Sequence, residues 1–232
     1  MENNITYTIK EVKKETENVF TLTLAYDGVI KTFRAGQYIT VFFPETGHVE
    51  GKSYSISNII SANSFTITVK GIGIFSNKII ELKAGDKLSA SMPYGYFYTE
   101  SETSPLVLIA GGIGVAPFKA IIEESVLKTP NRKIMLFYSN KMVDDIIFKN
   151  ELDELVEKYP NTLNVNYYIT QENVEGVMKN GRIPVADIIE QSKNLSDPEF
   201  FLCGSIAFVR DYWRGLKDGG VPEISIYTEA FF

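Results

Sequence analysis

The spacing of apolar residues changes its period near residue 101, and that change limits the chain to few folds. Before it, ITYTIKEV, NVFTLTLAY, GQYITVFF, SYSIS, SFTITVK and DKLSAS are short runs separated by Gly, Pro and the Asp27-Gly28 turn signal. Alternating runs of this length read as strands with one face in a core, and several in succession predict a closed or partly closed barrel. SNKIIELKAG is the one helical segment of this half, ended by its glycine. After the polar stretch TESETS the strands become continuously apolar: PLVLIA, KIMLFY, LNVNYYI, EFFLC and EISIY. Amphipathic helices fall between them, PFKAIIEESVLK, IFKNELDELVEKY, VADIIEQS and AFVRDYWRGLK. That alternation predicts a parallel α/β sheet covered on both faces. The expected domains are residues 1–100 and 101–232.

Composition narrows the function. A chain of 232 residues with 44% hydrophobic content has material for real cores. A net charge of −6 argues against nucleic acid as the partner. The single cysteine, Cys203, rules out a disulfide framework and a four-cysteine metal or iron–sulfur site within these residues, and no metal is implied. The N-terminal MENNITYTIK has no apolar run of the signal-peptide kind, and no window approaches a membrane span, so a cytoplasmic location is expected.

GGIGVAP, residues 111–117, follows the first strand of the second half and opens a helix. Glycine lets the backbone approach a ligand, and a helix N-terminus offers free N–H donors and the positive end of the dipole. Pro117 suits the first helical turn, where its missing N–H is no loss. In a doubly wound sheet this turn, Gly111, Gly112, Ile113 and Gly114, is where a dinucleotide pyrophosphate sits. The plainer alternative is a glycine-rich connection required for tight packing. Likewise GKSYSIS, residues 51–57, is either a polar strand face or a set of ligand-holding groups.

Taken in order, GKSYSIS, KGIGIFSNKI, LIAGGIGVAP, LFYSN, FLCGS and the terminal YTEAFF resemble the ferredoxin–NADP reductase family of flavoproteins over nearly the whole chain. The resemblance implies a six-stranded antiparallel barrel that binds FAD and an α/β domain that binds NAD(P)H. Lys52-Ser53-Tyr54-Ser55 occupies the place of the family's Arg-x-Tyr-Ser. By that analogy Tyr54 stacks on the flavin ring, Ser55 hydrogen-bonds near the reducible N5, and position 52 faces the FAD pyrophosphate. Lysine there supplies charge without the bidentate fork of arginine. The second flavin segment implied by the resemblance begins at Thr68. Val69 and Lys70 lie along the ring and ribityl chain, and Gly73, Ile74, Phe75 and Ser76 face the pyrophosphate. A helix N-cap by Ser76 is the simpler reading of the same residues. PYGYF, 93–97, matches a closing turn of the family and reads as structural; His48 reads as a solvated loop residue.

The same resemblance places Cys203 and Gly204 beside the nicotinamide, against the alternative that Cys203 is a small buried residue. Ser205 stands where the family usually has proline. Of the two terminal phenylalanines, Phe231 is favoured over Phe232 as the aromatic that covers the flavin, with Glu229 nearby as a proton-handling group; core packing is the alternative. Ser139, Asn140 and Lys141 end the second strand of the α/β half, and a serine with a lysine suits a 2′-phosphate, which tilts the choice between NADH and NADPH towards NADPH. The implied activity is hydride transfer from NAD(P)H to FAD, with Ser55, Cys203 and Glu229 at the reacting centre. Electrons then pass to a separate acceptor, a ferredoxin, a flavodoxin or a small molecule. A reductase component of an oxygenase system and a non-catalytic nucleotide-binding module are the alternatives.

Overall fold

The computed structural model describes residues 4–28, 30 and 32–231, so Phe232 lies outside the described residues. The chain divides into two compact units, the first running to Tyr98 and taking in Lys119–Ile121, the second holding the rest. Six strands build the first: β1 (Ile5–Lys14), β2 (Val19–Ala25), β3 (Tyr38–Phe43), β4 (His48–Ser61), β5 (Ser64–Lys70) and β6 (Lys87–Ala90). They form a closed antiparallel barrel in the order β1-β2-β5-β4-β3-β6, with Ile5 of β1 pairing Ala90 of β6 to complete the ring. Period-two alternation sends Tyr7, Ile9, Leu22, Leu24, Ile39 and Ile67 inwards, and none of them is exposed. Helix α1 (Ile74–Ile80) packs Phe75 and Ile79 onto this core.

Hydroxyls occupy the other face of the central strands. Thr66, Ser57 and Thr68 form a buried chain with links of 2.8 Å, and Thr21 joins Thr68 at 2.9 Å. Threonine keeps its β-branched fit to the strand while its oxygen finds a partner, so polar groups are buried here without the cost of an unmet hydrogen bond. β4 is longer than the SYSIS segment suggests, because its β-bulges keep an extended strand in register with two different neighbours.

The second unit holds six parallel strands: β7 (Leu106–Gly111), β8 (Ile134–Asn140), β9 (Leu163–Ile169), β10 (Lys179–Asn180), β11 (Glu199–Ser205) and β12 (Ile226–Phe231). Their order is β10-β9-β8-β7-β11-β12, so the direction of strand addition reverses between β7 and β11. Helices α2 (Ala116–Lys128), α3 (Lys149–Lys158), α4 (Val185–Ser192) and α5 (Ile206–Asp218) follow the strands. Val107, Ile109, Phe200 and Leu202 pack against α4 and α5 residues such as Ile188 and Leu216. On the opposite face Tyr167 of β9 donates its hydroxyl to Asp153 of α3 at 2.8 Å. Side chains on both faces of β7 are fully buried, which is why its sequence is continuously apolar.

Three segments differ from the sequence expectation. The last strand is β12, displaced towards the C-terminus from EISIY, because residues 223–225 form a 3₁₀ turn. β10 is an added two-residue strand with no apolar run to announce it. α1 starts at Ile74 with Gly73 as its N-cap, and Ser76 is the third helical residue that reaches back to cap it.

Arg132, only 7% exposed, donates from Nε to the Ser104 carbonyl at 2.9 Å and from Nη2 to the Ser101 carbonyl, holding the segment that leads into β7. Replacing Arg132 with alanine strands both acceptors and is expected to lower the stability of the second unit by about 3 kcal/mol in chemical denaturation. A loss below about 0.5 kcal/mol would show that the segment is held by its other contacts.

Candidate functional site

In the first unit the site begins where a ladder ends. β4 pairs with β5 from Ser61–Ser64 to Ile56–Ile67, then continues with β3 alone through Ser55, Tyr54, Ser53 and Lys52. Thr68, Val69 and Lys70 therefore pair with β2 on one edge and have no β4 partner in the ladder on the other. Two strand edges diverge at this point, and main-chain polar groups need a partner wherever they are covered. A planar, hydrogen-bonding ring system fits such a split.

Alternation separates the four residues of the Lys52–Ser55 motif. Lys52 and Tyr54 share a face and flank Phe75: the Lys52 ammonium lies 5.7 Å from its ring centroid, and the Tyr54 ring lies 6.5 Å away, tilted by 17°. Burial pushes the Tyr54 phenol pKa up, so its hydroxyl keeps its proton across the working range. On the other face Ser53 and Thr40 share a hydrogen bond of 3.2 Å, and Thr40 also meets the Tyr94 hydroxyl. Ser55 is 6% exposed. Thr68 has its hydroxyl tied into the chain with Ser57, and the Val69 side chain lies in the barrel core, so Val69 can offer the split only its main chain.

The turn at Gly73 sits beside this cluster. Ile72 and Gly73 donate their N–H groups to the Ser76 hydroxyl at 3.0 and 3.1 Å, and that hydroxyl donates on to the Gly73 carbonyl. Ser76 thus spends its hydroxyl holding the turn. The groups left for an anion are the first-turn N–H donors of Ile74, Phe75 and Ser76, which have no partner within the helix. Nothing lies within 4 Å of the Cβ direction of Gly73, so a ligand meets open backbone there. With the Lys52 ammonium above Phe75, these donors suit a diphosphate.

Two further side chains lie beside the motif. His48 is the first residue of β4 and sets its ring edge-on to Phe75 at 5.7 Å. Tyr94, in the turn read as structural, packs 4.4 Å from the Tyr38 ring while bonding Thr40. His48 pairs with Phe43 of β3, which faces the same core as Val41, the partner of Lys52.

The second unit gathers its candidates at the carboxyl ends of β7 and β11, the reversal point where open α/β sheets bind ligands. Gly111 ends β7, residues 112–115 make a 3₁₀ turn that includes Ile113, and Pro117 is in the first turn of α2. Gly112 has φ +54° and open space where a side chain would point. Gly114 is there for contact: a Cβ on it would lie 2.2 Å from the Cys203 carbonyl oxygen. Cys203 is fully buried and pairs across the sheet with Ala110 and Glu229. Burial above all, then the Glu229 charge, pushes its thiol well above the ordinary range, so it is a neutral packing group and a poor nucleophile. Gly204 follows it, and the Ser205 hydroxyl caps α5 by accepting the Phe208 N–H at 3.3 Å, a task proline could not perform. Phe231 ends β12 opposite Ser205 and is partly exposed. Ser139, Asn140 and Lys141 lie at the exit of β8, one strand further out.

Two outcomes follow. Gly114→Ala is expected to destabilise the second unit by about 2–3 kcal/mol, since backbone atoms rather than a movable side chain receive the new methyl; a neutral effect in denaturant titration would refute that close contact. A thiol reagent at pH 8 is expected to modify Cys203 only on unfolding, and modification of native protein at the rate of a free thiol would show that the strand end opens.

The family model for the oxidoreductase NAD-binding domain matches residues 108–213, which span the loop, β8 and β11. The NADH-cytochrome b5 reductase 2-A of Vanderwaltozyma polyspora is 30% identical over 212 residues, covering 88% of this chain and 71% of its own length. A flavohemoprotein of Rhizobium meliloti is 28% identical over 97% of this chain, and the chain spans 60% of that protein's length. Among solved structures, the flavohem-like FAD/NAD-binding domain of a nitric oxide dioxygenase from Vibrio cholerae O1 biovar El Tor is 25% identical with a TM-score of 0.84, covering 100% of this chain and 99% of that one. With barrel, parallel sheet, glycine loop and these relatives in agreement, the chain belongs to the ferredoxin–NADP reductase-like family of NAD(P)H-dependent flavoprotein oxidoreductases.

Proposed function

We propose that this chain is a reductase that binds FAD in its barrel and NAD(P)H in its α/β unit, and delivers electrons to a separate acceptor. The observation that carries the reading is the parting of β4 from β5 beside the Lys52–Tyr54–Phe75 cluster, where diverging strand edges, a cation and open helix-start N–H groups meet. Bound FAD supplies a two-electron acceptor that can release its electrons singly. The chain supplies position and polarity. Lys52 and the N–H groups of residues 74–76 hold the diphosphate, Tyr54 packs on the ring, and the Thr68–Lys70 backbone lines it. Ser55 offers its hydroxyl to the reducible nitrogen. Gly112 and the start of α2 hold the pyridine-nucleotide phosphates, while Cys203 and Gly204 give the nicotinamide a small, apolar seat. Glu229 is the proton-handling group of that seat and Phe231 the aromatic shield. Hydride transfer needs donor and acceptor atoms about 3–3.5 Å apart, so these contacts act by alignment.

For the acceptor, a ferredoxin or flavodoxin fits the family resemblance. A haem or oxygenase component is favoured by similarity to a flavohemoprotein and to a nitric oxide dioxygenase domain. No helix among the described residues is long and apolar enough to cross a membrane.

Heat-released cofactor is expected to run as FAD on chromatography, near one per chain, and finding FMN would remove the diphosphate assignment. Lys52→Arg is expected to bind FAD as tightly or more tightly, and Lys52→Ala to weaken it about tenfold. Ser55→Ala should keep the flavin and slow its bleaching by NADH or NADPH about 10²-fold in stopped flow; an unchanged rate would take Ser55 out of the reacting centre.

A further inference from the structure

Carboxylates from two segments and a buried amide meet at the exit of β8. Residues 143–145 form a 3₁₀ turn directly after it, and the start of such a turn ordinarily presents N–H groups to an anion. Both leading donors are already taken by carboxylates. The Met142 N–H donates to Asp145 Oδ2 at 3.3 Å, and the Val143 N–H donates to Glu172 Oε2 at 3.0 Å. Glu172 comes from the segment after β9. It is delivered there because pairing continues past that strand, with the Thr170 N–H on the Asn140 carbonyl at 3.0 Å and the Gln171 N–H on the Lys141 carbonyl at 2.9 Å. Asp144 adds a third acidic side chain at the same turn, and Lys141 is the exposed cation among them.

A second observation comes from Asn140. It is 5% exposed, yet neither its amide nitrogen nor its amide oxygen has a hydrogen-bond partner. A buried amide with both groups unmet calls for a ligand that donates and accepts. A ribose hydroxyl does both. A 2′-phosphate offers acceptors and would leave the amide oxygen facing negative charge. Turning this side chain towards a ligand breaks no hydrogen bond, since it holds none.

We infer that Glu172 and Asn140 make this chain an NADH-selective reductase, with Glu172 excluding the 2′-phosphate and Asn140 meeting the ribose hydroxyls. This rests on the reading that a pyridine nucleotide binds along the carboxyl ends of β7 and β8, and it reverses the preference that Ser139 and Lys141 suggest from sequence. The Met142 and Val143 N–H donors beside Ser139 and Lys141 are filled from within, and the carboxylates that fill them bring negative charge to the place a 2′-phosphate would take.

Calorimetric titration of the full chain with 5′-ADP and with 2′,5′-ADP tests this apart from turnover. Wild type is expected to bind 5′-ADP at least tenfold more tightly, and kcat/KM is expected to favour NADH by a similar factor. Glu172→Gln, which keeps an acceptor for the Val143 N–H, should narrow the 5′-ADP preference several-fold, and Glu172→Lys should narrow it further. Tighter binding of 2′,5′-ADP by wild type overturns the inference while leaving the nucleotide site intact. An unchanged ratio in Glu172→Gln overturns the role of Glu172. Binding of neither nucleotide overturns the underlying site, and the inference falls with it.

Discussion

Two peptide groups touch at Gly114 and Cys203 with no side chain between them, and the proposed nucleotide-binding end of the second unit depends on that contact. Backbone against backbone at this distance fixes where α2 begins relative to β11. A loop tied so closely to the next strand cannot drift, so Gly112 keeps its positive φ facing open space and the helix-start donors keep their direction. Burial sets the character of the cysteine at this strand end. Its carbonyl is packed under the loop and its thiol is out of water, so the residue contributes shape rather than reactivity.

Phe75 plays the matching part in the barrel. One buried ring touches Phe43 of β3, His48, Lys52 and Tyr54 of β4, and belongs to the helix whose first turn faces the proposed diphosphate. Cation, aromatic and N–H donors therefore converge because they share a single support. A ring packed on several sides holds one rotamer, and that restriction passes to the groups leaning on it.

The layering of the fold was legible because it rests on periodicity, which strand and helix geometry dictate residue by residue. β7 and β11 read correctly because both their faces are buried, while β10, two residues long, has no period to read. The arrangement of the motif residues was legible only in part. Lys52 and Tyr54 point one way and Ser53 the other, a separation that alternation gives. The engagement of Ser76 with its own turn and the arrival of Glu172 at β8 depend on loop paths that local pattern does not encode. The structural reading of the 93–97 turn agrees with Tyr94 packing on Tyr38, whereas His48 opens β4 instead of lying in a loop because the strand runs on past its apolar residues.

Closure of the barrel also sets a timetable. Strands β1 and β2 can pair as soon as both exist, but Ile5 waits for Ala90, so the ring closes a loop of most of the first unit's length. Entropy penalises such long closures only logarithmically, yet contacts of this sequence separation slow folding far more than they weaken the product. Made from its N-terminus, the chain has everything the barrel requires before the strands of the parallel sheet emerge, and domains in that position fold as units during synthesis. Beside the closing ladder the Tyr7 hydroxyl donates to the Ser91 carbonyl at 3.0 Å, a buried bond that also spans most of the first unit's sequence. Until β6 pairs with β1, the strand that carries Tyr7 has one free edge, the condition in which a strand is most open to pairing with another chain.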